Sequence, residues 1–374
     1  MPAPLLVSNL TNIRYLSGVH LTDGLMLVRK SAGARHAVPL LFVDSRYTEK
    51  AADEAKRGIK VLHRDELPKW IKRLKKVRFE ANDVTVTRLQ KWKKIFRGTQ
   101  FIPSEGVIEE LRRAKKKEEI LCTKKACRIT DKVLQEIPRI LRVGAPRQGA
   151  PSGMTEKELG WKIEKLSREL GADAMAFETI VAFGPSSSRP HHRPTERRLR
   201  KGDLVQIDMG VNVKGYCSDC SRVFFTGKQT PEQKKIFDLL VAIVKDTTKM
   251  AKVGAHNTAL DKFARKRMRQ MSPKRKTKNE KRYDELFFHS LGHGVGLEIH
   301  EGINISSRAK KMKLKPNEIV TTEPGVYFEG KWGMRIEDTV LVGKKSGLRL
   351  TQAPYLPIRD RKKSSTRAGI DDGR

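Results

Sequence analysis

Apolar residues recur along the chain with two periods, and the switches between them mark its elements. Leu25–Val28, Val38–Val43 and Lys60–Leu62 are short β-like runs, whereas Tyr47–Arg57, Trp70–Leu74 and Leu89–Phe96 carry helical spacing. Strand and helix in alternation predict an α/β domain over residues 1–105, with Pro103-Ser-Glu-Gly106 as a hinge. Ala126, Ile129, Val133, Ile137 and Ile140 then lie three or four apart, the face of a long helix kinked at Pro138. Gly144–Gly153 reads as a loop. Thr155 and Glu158 form a capping box for a helix with the stripe Leu159, Ile163, Leu166 and Leu170. Strand signals return at Glu178–Phe183 and Leu204–Val213. Thr230-Pro-Glu-Gln233 caps a helix that buries Ile236, Leu239, Leu240, Ile243 and Val244, and Ala259–Met271 predicts another. Ser272–Arg282 reads as a basic, mobile connection, and the chain is strand-rich from there to Val342. Helix-and-strand groups thus occur twice after residue 150, which predicts a duplicated α+β domain. The polar stretch 359–374 reads as a disordered basic tail.

Composition narrows the function classes. A length of 374 residues suits two domains. No apolar run approaches the ~20 residues of a membrane span, and the first residues lack the pattern of a signal peptide. Cytoplasm is therefore the expected location, with no membrane partner. Cys217-Ser-Asp-Cys220 forms a CxxC, but Cys122 and Cys127 do not share its spacing. The cysteines are expected as small reduced side chains, against the alternative of a structural zinc site. A net charge of +35 points towards polyanions, yet the lysines and arginines are spread over both halves and aromatics are only 6%. The expected consequence is non-specific attraction to nucleic acid.

Candidate chemistry concentrates in the second half. His289-Ser-Leu-Gly-His293-Gly-Val-Gly-Leu-Glu-Ile-His300 packs three of the chain's nine histidines among glycines that permit tight bends and close approach. Asp208 and Asp219 lie in strand-like segments on either side of a turn near Asn212–Gly215, a hairpin predicted to bring them opposite one another. Glu323 and Glu337 repeat the arrangement around Glu329–Lys331. Carboxylates inside apolar strands are costly unless neutralised. Salt bridges are the alternative reading, but only Arg222 and Arg335 sit in comparable strand contexts. Four carboxylates and His293 suit two divalent ions of hard or borderline character.

On these residues the chain resembles the metal-dependent pita-bread peptidases, in the branch of Xaa-Pro aminopeptidases and Xaa-Pro dipeptidases (prolidases). Glu323-Pro-Gly-Val-Tyr, Arg335-Ile-Glu-Asp and Arg189-Pro-His-His-Arg-Pro carry the likeness. Val7-Ser-Asn-Leu-Thr-Asn-Ile-Arg-Tyr-Leu-Ser-Gly18 and Leu41-Phe-Val-Asp-Ser-Arg-Tyr-Thr48 resemble the family's creatinase-type N-terminal domain. The resemblance implies an α+β fold, with the small α/β domain over 1–105 ahead of a pita-bread catalytic domain over 106–358. It implies Asp208, Asp219, His293, Glu323 and Glu337 as ligands of two divalent ions, manganese foremost, with cobalt or zinc as alternatives. A water shared by the ions would be the nucleophile, with Glu323 carrying its proton. His191 and His300 would meet the carbonyl oxygen or the departing proline. Arg335 would orient a carboxylate, and His289 would line the pocket beyond the cut. The implied activity is hydrolysis between an N-terminal residue and a following proline, by a homodimer. An Xaa-Pro aminopeptidase is placed ahead of a dipeptidase because Asn304 stands where prolidases resemble His-Glu-x-Pro-Arg; Arg308 or Lys310 are the candidate substitutes for that arginine. A catalytically inactive binding protein with a basic surface is the reading from another class, and the intact ligand set argues against it.

Overall fold

Short apolar runs in the first hundred residues build a six-stranded mixed sheet. A computed structural model describes residues 3–29, 39–144, 153–275, 277 and 280–355. The loop expected over Gly144–Gly153 falls almost wholly outside these residues, as does the tail, and the connection over Ser272–Arg282 does so in part. By contacts the chain divides into two compact units, Met1–Ala114 and Lys115–Arg374.

The first unit comprises β1 (Leu5–Val7), α1 (Leu10–Ser17), β2 (Leu25–Val28), β3 (Leu40–Val43), α2 (Thr48–Glu54), β4 (Lys60–His63), α3 (Leu67–Ile71), β5 (Lys76–Glu80), α4 (Val86–Ile95), β6 (Gln100–Ser104) and α5 (Val107–Arg113). Strand order is β4-β3-β2-β1-β5-β6. Leu6, Leu27, Phe42 and Val77 pack one face with Ile71 and Trp92, while Leu5, Met26, Leu41 and Val43 pack the other with Ile13 and Ile108. Helices thus cover both sides, as the alternation of strand and helix requires. Pro103, expected at a hinge, lies instead in β6, paired with Phe79 at the edge of the sheet. An edge strand tolerates the missing N–H.

The second unit begins with α6 (Lys117–Gly144), which continues through Pro138, and α7 (Glu156–Glu169). Short strands follow: β7 (Ala174–Met175), β8 (Ile180–Phe183), β9 (Leu204–Met209), β10 (Val211–Val213), β11 (Tyr216–Cys217) and β12 (Cys220–Phe225). The second group comprises α8 (Pro231–Met250), α9 (Asn257–Met271), β13 (Gly292–His293), β14 (Asn304–Ile305), β15 (Ile319–Thr322), β16 (Gly325–Phe328), β17 (Trp332–Arg335), β18 (Asp338–Leu341) and β19 (Leu348–Arg349). Both expected capping boxes form, Thr155 with Glu158 and Thr230 with Gln233. One core joins Ile129, Val133 and Ile163 to Val181, Val205 and Ile207; the other joins Leu240, Ile243 and Leu260 to Val320 and Val340. In β9, Val205, Ile207 and Met209 fill the first core, so by alternation Gln206 and Asp208 project from the other face.

The two hairpins differ from expectation in one respect. Glu323 and Glu337 continue the β15–β18 register and stand opposite one another. In the other hairpin Asp208 faces Ser221. The turn is the two-residue Lys214–Gly215, both at positive φ, which sets the register two residues away from the one expected. An even slip leaves Asp208 and Asp219 on the same face, so they remain diagonal neighbours.

Candidate metal centre

The carboxylates of both hairpins and the histidine loop converge on one cavity of about 480 Å³ in the second unit. Its lining includes His191, Asp208, Asp219, His289, His293, His300, Glu323, Arg335 and Glu337. His293 arrives on β13, flanked by Gly292 and Gly294, which serve close approach, not positive φ. A Cβ at Gly292 would lie 2.1 Å from the Thr321 carbonyl oxygen, and one at Gly294 would lie 2.0 Å from that of Glu301.

Ligand atoms of Asp219, His293 and Glu337 all fall within 4.8 Å of one another. His293 Nε2 is 3.2 Å from Glu323 Oε1 and 3.6 Å from Asp219 Oδ2. His293 Nδ1 is 3.2 Å from the Gly294 carbonyl oxygen, which turns Nε2 towards the carboxylates. Burial, then the charges of Glu337 and Asp208, push the Asp219 carboxyl well above its usual range. Burial and the charges of Asp208 and Glu323 do the same to Glu337. Burial would also raise Glu323, but its hydrogen bond to His293 and that imidazole's charge outweigh it and hold Glu323 at about 2.

Arginines neutralise only part of this charge. Arg335 pairs with Asp208, whereas Arg222 lies against Asp338, a residue outside the four, at 2.7 Å. All five Arg335 N–H groups are engaged, by Asp208, the Ser221 and Tyr327 hydroxyls and the Pro190 carbonyl oxygen. Among the described residues, Asp208 Oδ1 is buried with no hydrogen-bond partner. An orphaned buried oxygen, two carboxyls raised by burial and by neighbouring carboxylates, and an imidazole aimed at them fit divalent cations. The cysteines take no part: all four are free, and Cys127, Cys217 and Cys220 are buried.

Several supports were not legible in the sequence. Tyr327 accepts from Arg335 at 2.8 Å and therefore donates to His289 Nε2 at 3.0 Å. His289 Nδ1 then donates to the Ser290 carbonyl oxygen at 2.9 Å, so both ring nitrogens are occupied. Burial holds His289 at about 4 and pushes Tyr327 up to about 12. Ser221 donates to Glu337 at 2.9 Å and accepts from Arg335. Behind His191, Glu156 accepts from His192 Nε2 at 2.8 Å, from both the N–H and hydroxyl of Thr195, and from the Phe183 N–H. His300 stands edge-on to His293, ring centres 4.2 Å apart. Asn304 lines the cavity; Arg308 and Lys310 do not.

Comparison with known proteins agrees with this architecture. Residues 122–344 match the model of metallopeptidase family M24, and residues 3–114 match the creatinase/prolidase N-terminal domain. An Xaa-Pro dipeptidase of Pyrococcus furiosus is 32% identical over 342 residues, 91% of each chain. Among solved structures, an X-Pro aminopeptidase from Thermotoga maritima superposes with a TM-score of 0.81 at 31% identity, over 95% of this chain and 97% of that one. An Xaa-Pro dipeptidase from Bacillus anthracis gives 0.84 at 30% identity, over 95% and 94%. These matches carry the resemblance and the pita-bread architecture expected from the motifs: the chain belongs to metallopeptidase family M24, with a creatinase-type domain ahead of the catalytic one.

Proposed function

We propose that the chain is an exopeptidase that cuts between an N-terminal residue and a following proline, with two divalent ions held by Asp208, Asp219, His293, Glu323 and Glu337. The cluster that carries this reading is the set of four largely buried carboxylates in which, among the described residues, Arg335 pairs with Asp208 and Asp208 Oδ1 is left without a partner. Manganese is the proposed ion, with cobalt or zinc as alternatives, because oxygen donors outnumber the single imidazole. Such ions supply Lewis acidity that polarises a carbonyl and lowers the pKa of water.

The chain's own groups perform the remaining work. Glu323 accepts the water proton and returns it to the departing nitrogen. That return matters because the leaving group, freed from a tertiary amide, is a secondary amine. His191 and His300 border the cavity and donate to the carbonyl oxygen or the proline nitrogen as charge develops. His289 offers no free nitrogen and serves as wall. Phe177, Ile180 and Ile299 give the cavity an apolar side suited to a pyrrolidine ring.

Asn304, uncharged and lining the cavity, favours peptides longer than two residues, and hence an Xaa-Pro aminopeptidase. The dipeptidase reading is favoured by the similarity to Xaa-Pro dipeptidases of two Pyrococcus species. Tripeptides that differ only in proline or alanine at the second position test the shared claim on manganese-loaded protein. Cleavage confined to the proline peptide, abolished by a chelator and restored by manganese, is expected. Equal cleavage of both peptides, or of neither, overturns it.

A further inference from the structure

Among the described residues, two arginines line the cavity, and they are held in opposite ways. Arg335 is buried and has no N–H left to offer a substrate. Arg193 is 83% exposed and donates no hydrogen bond within the protein among the described residues. Its charged neighbour is Glu178, 61% exposed, with Nε 3.1 Å from Oε2. An ion pair this open contributes little to folding.

The backbone that carries Arg193 is nevertheless fixed. His192 and Thr195, on either side of the Arg193–Pro194 pair, both bond to the buried Glu156 carboxylate. The Pro190 carbonyl oxygen receives Arg335, and His192 N–H meets the Arg189 carbonyl oxygen at 3.2 Å. A clamped segment therefore presents to the cavity, two residues beyond His191, a guanidinium engaged among the described residues by Glu178 at Nε. Such an arrangement lowers the ordering cost of binding an anion. A planar guanidinium with its terminal nitrogens unoccupied matches a carboxylate in geometry and charge.

We propose, resting on the Xaa-Pro reading above, that Arg193 anchors the free proline carboxylate of an Xaa-Pro dipeptide, the task for which position 304 has no cation. The anchor enters from the segment after His191, not from the loop after His300. Glu178 competes for the same guanidinium, so the two residues set dipeptide use with opposite signs.

Manganese-loaded wild-type, Arg193→Ala and Glu178→Gln proteins are compared on Ala-Pro and Ala-Pro amide, which lacks the carboxylate. The acid-to-amide ratio of kcat/KM should fall about three- to tenfold in Arg193→Ala, a range that allows for exposure to solvent. The fall should lie in KM, and in Glu178→Gln the ratio should rise. Inhibition by proline relative to prolinamide should move in the same directions, a reading that needs no turnover of the amide. An unchanged ratio in Arg193→Ala, or equal losses on acid and amide, overturns the anchor while leaving Xaa-Pro hydrolysis intact. Wild-type protein that cleaves neither substrate overturns the Xaa-Pro reading and the anchor with it.

Discussion

Glu156 is the position at which burial and hydrogen bonding allow a magnitude to be worked out. Its carboxylate is fully buried and accepts four hydrogen bonds, three at Oε2 and one at Oε1. In Glu156→Ala all four donors lose their acceptor, and a buried His192–carboxylate pair is broken. Leaving buried donors without their acceptor costs about 1–3 kcal/mol per unsatisfied group. Glu156→Gln keeps the shape and one oxygen. If that oxygen stays with His192 and Thr195, the new NH₂ faces the Phe183 N–H, donor against donor. One lost charge-assisted bond and one unsatisfied group cost about 1–3 kcal/mol. Burial would raise the Glu156 pKa, but hydrogen bonds from His192, Phe183 and Thr195 outweigh it and hold it below the ordinary 4.5. A carboxyl lowered on folding contributes stability that is present above the unfolded value and lost as pH falls through the folded one. The gap between wild type and Glu156→Gln should therefore be full at pH 7 and narrow below about pH 4.5. Urea unfolding at several pH values measures the gap, and hydrogen exchange at the Phe183 and Thr195 amides locates it. A Glu156→Gln protein within about 0.5 kcal/mol of wild type at pH 7, with both amides still protected, refutes the reasoning.

Asn304→Arg places a further cation on the cavity wall and should raise the ratio of Ala-Pro to Ala-Pro-Ala cleavage by about tenfold, the lower end for a charge-assisted contact. Steady-state kinetics on the two peptides check it, and an unchanged ratio counts against a role for that wall in chain-length choice. The +35 charge should give duplex binding that weakens steeply from 50 to 200 mM salt with no sequence preference. Tight, sequence-selective binding at physiological salt would instead favour a binding function for the basic surface.

Local signals in the sequence carried the elements whose causes are local. Capping boxes at Thr155 and Thr230, the stripe of α6 and the alternation of β9 need only near neighbours, and each appears. The register differs from the expected 208–219 pairing because Asn212 lies in β10 and not in the turn. Its side chain instead accepts from the Gly215 N–H at 2.7 Å while its backbone pairs with Cys217. Polar partnerships across long separations were not legible. Glu156 meets His192 and Thr195 from 36 and 39 residues away, and Ser221 meets Glu337 from 116. Tyr327 closes the Glu323-Pro-Gly-Val-Tyr motif, but nothing local shows that its hydroxyl meets Arg335 and His289. Arg193 had no periodicity to mark it, since an exposed arginine beside a proline reads as surface until a cavity is seen next to it.

The central claim is that the five-residue cluster holds two divalent ions. Elemental analysis of manganese-equilibrated, desalted protein counts them directly, with Asp219→Asn and Glu337→Gln alongside. Because both residues lie in the shared carboxylate cluster, the account predicts about two ions per wild-type chain, clear loss in each variant, and loss of Xaa-Pro hydrolysis with the metal. Full hydrolysis by metal-stripped wild type, or an unchanged metal content in both variants, would contradict it.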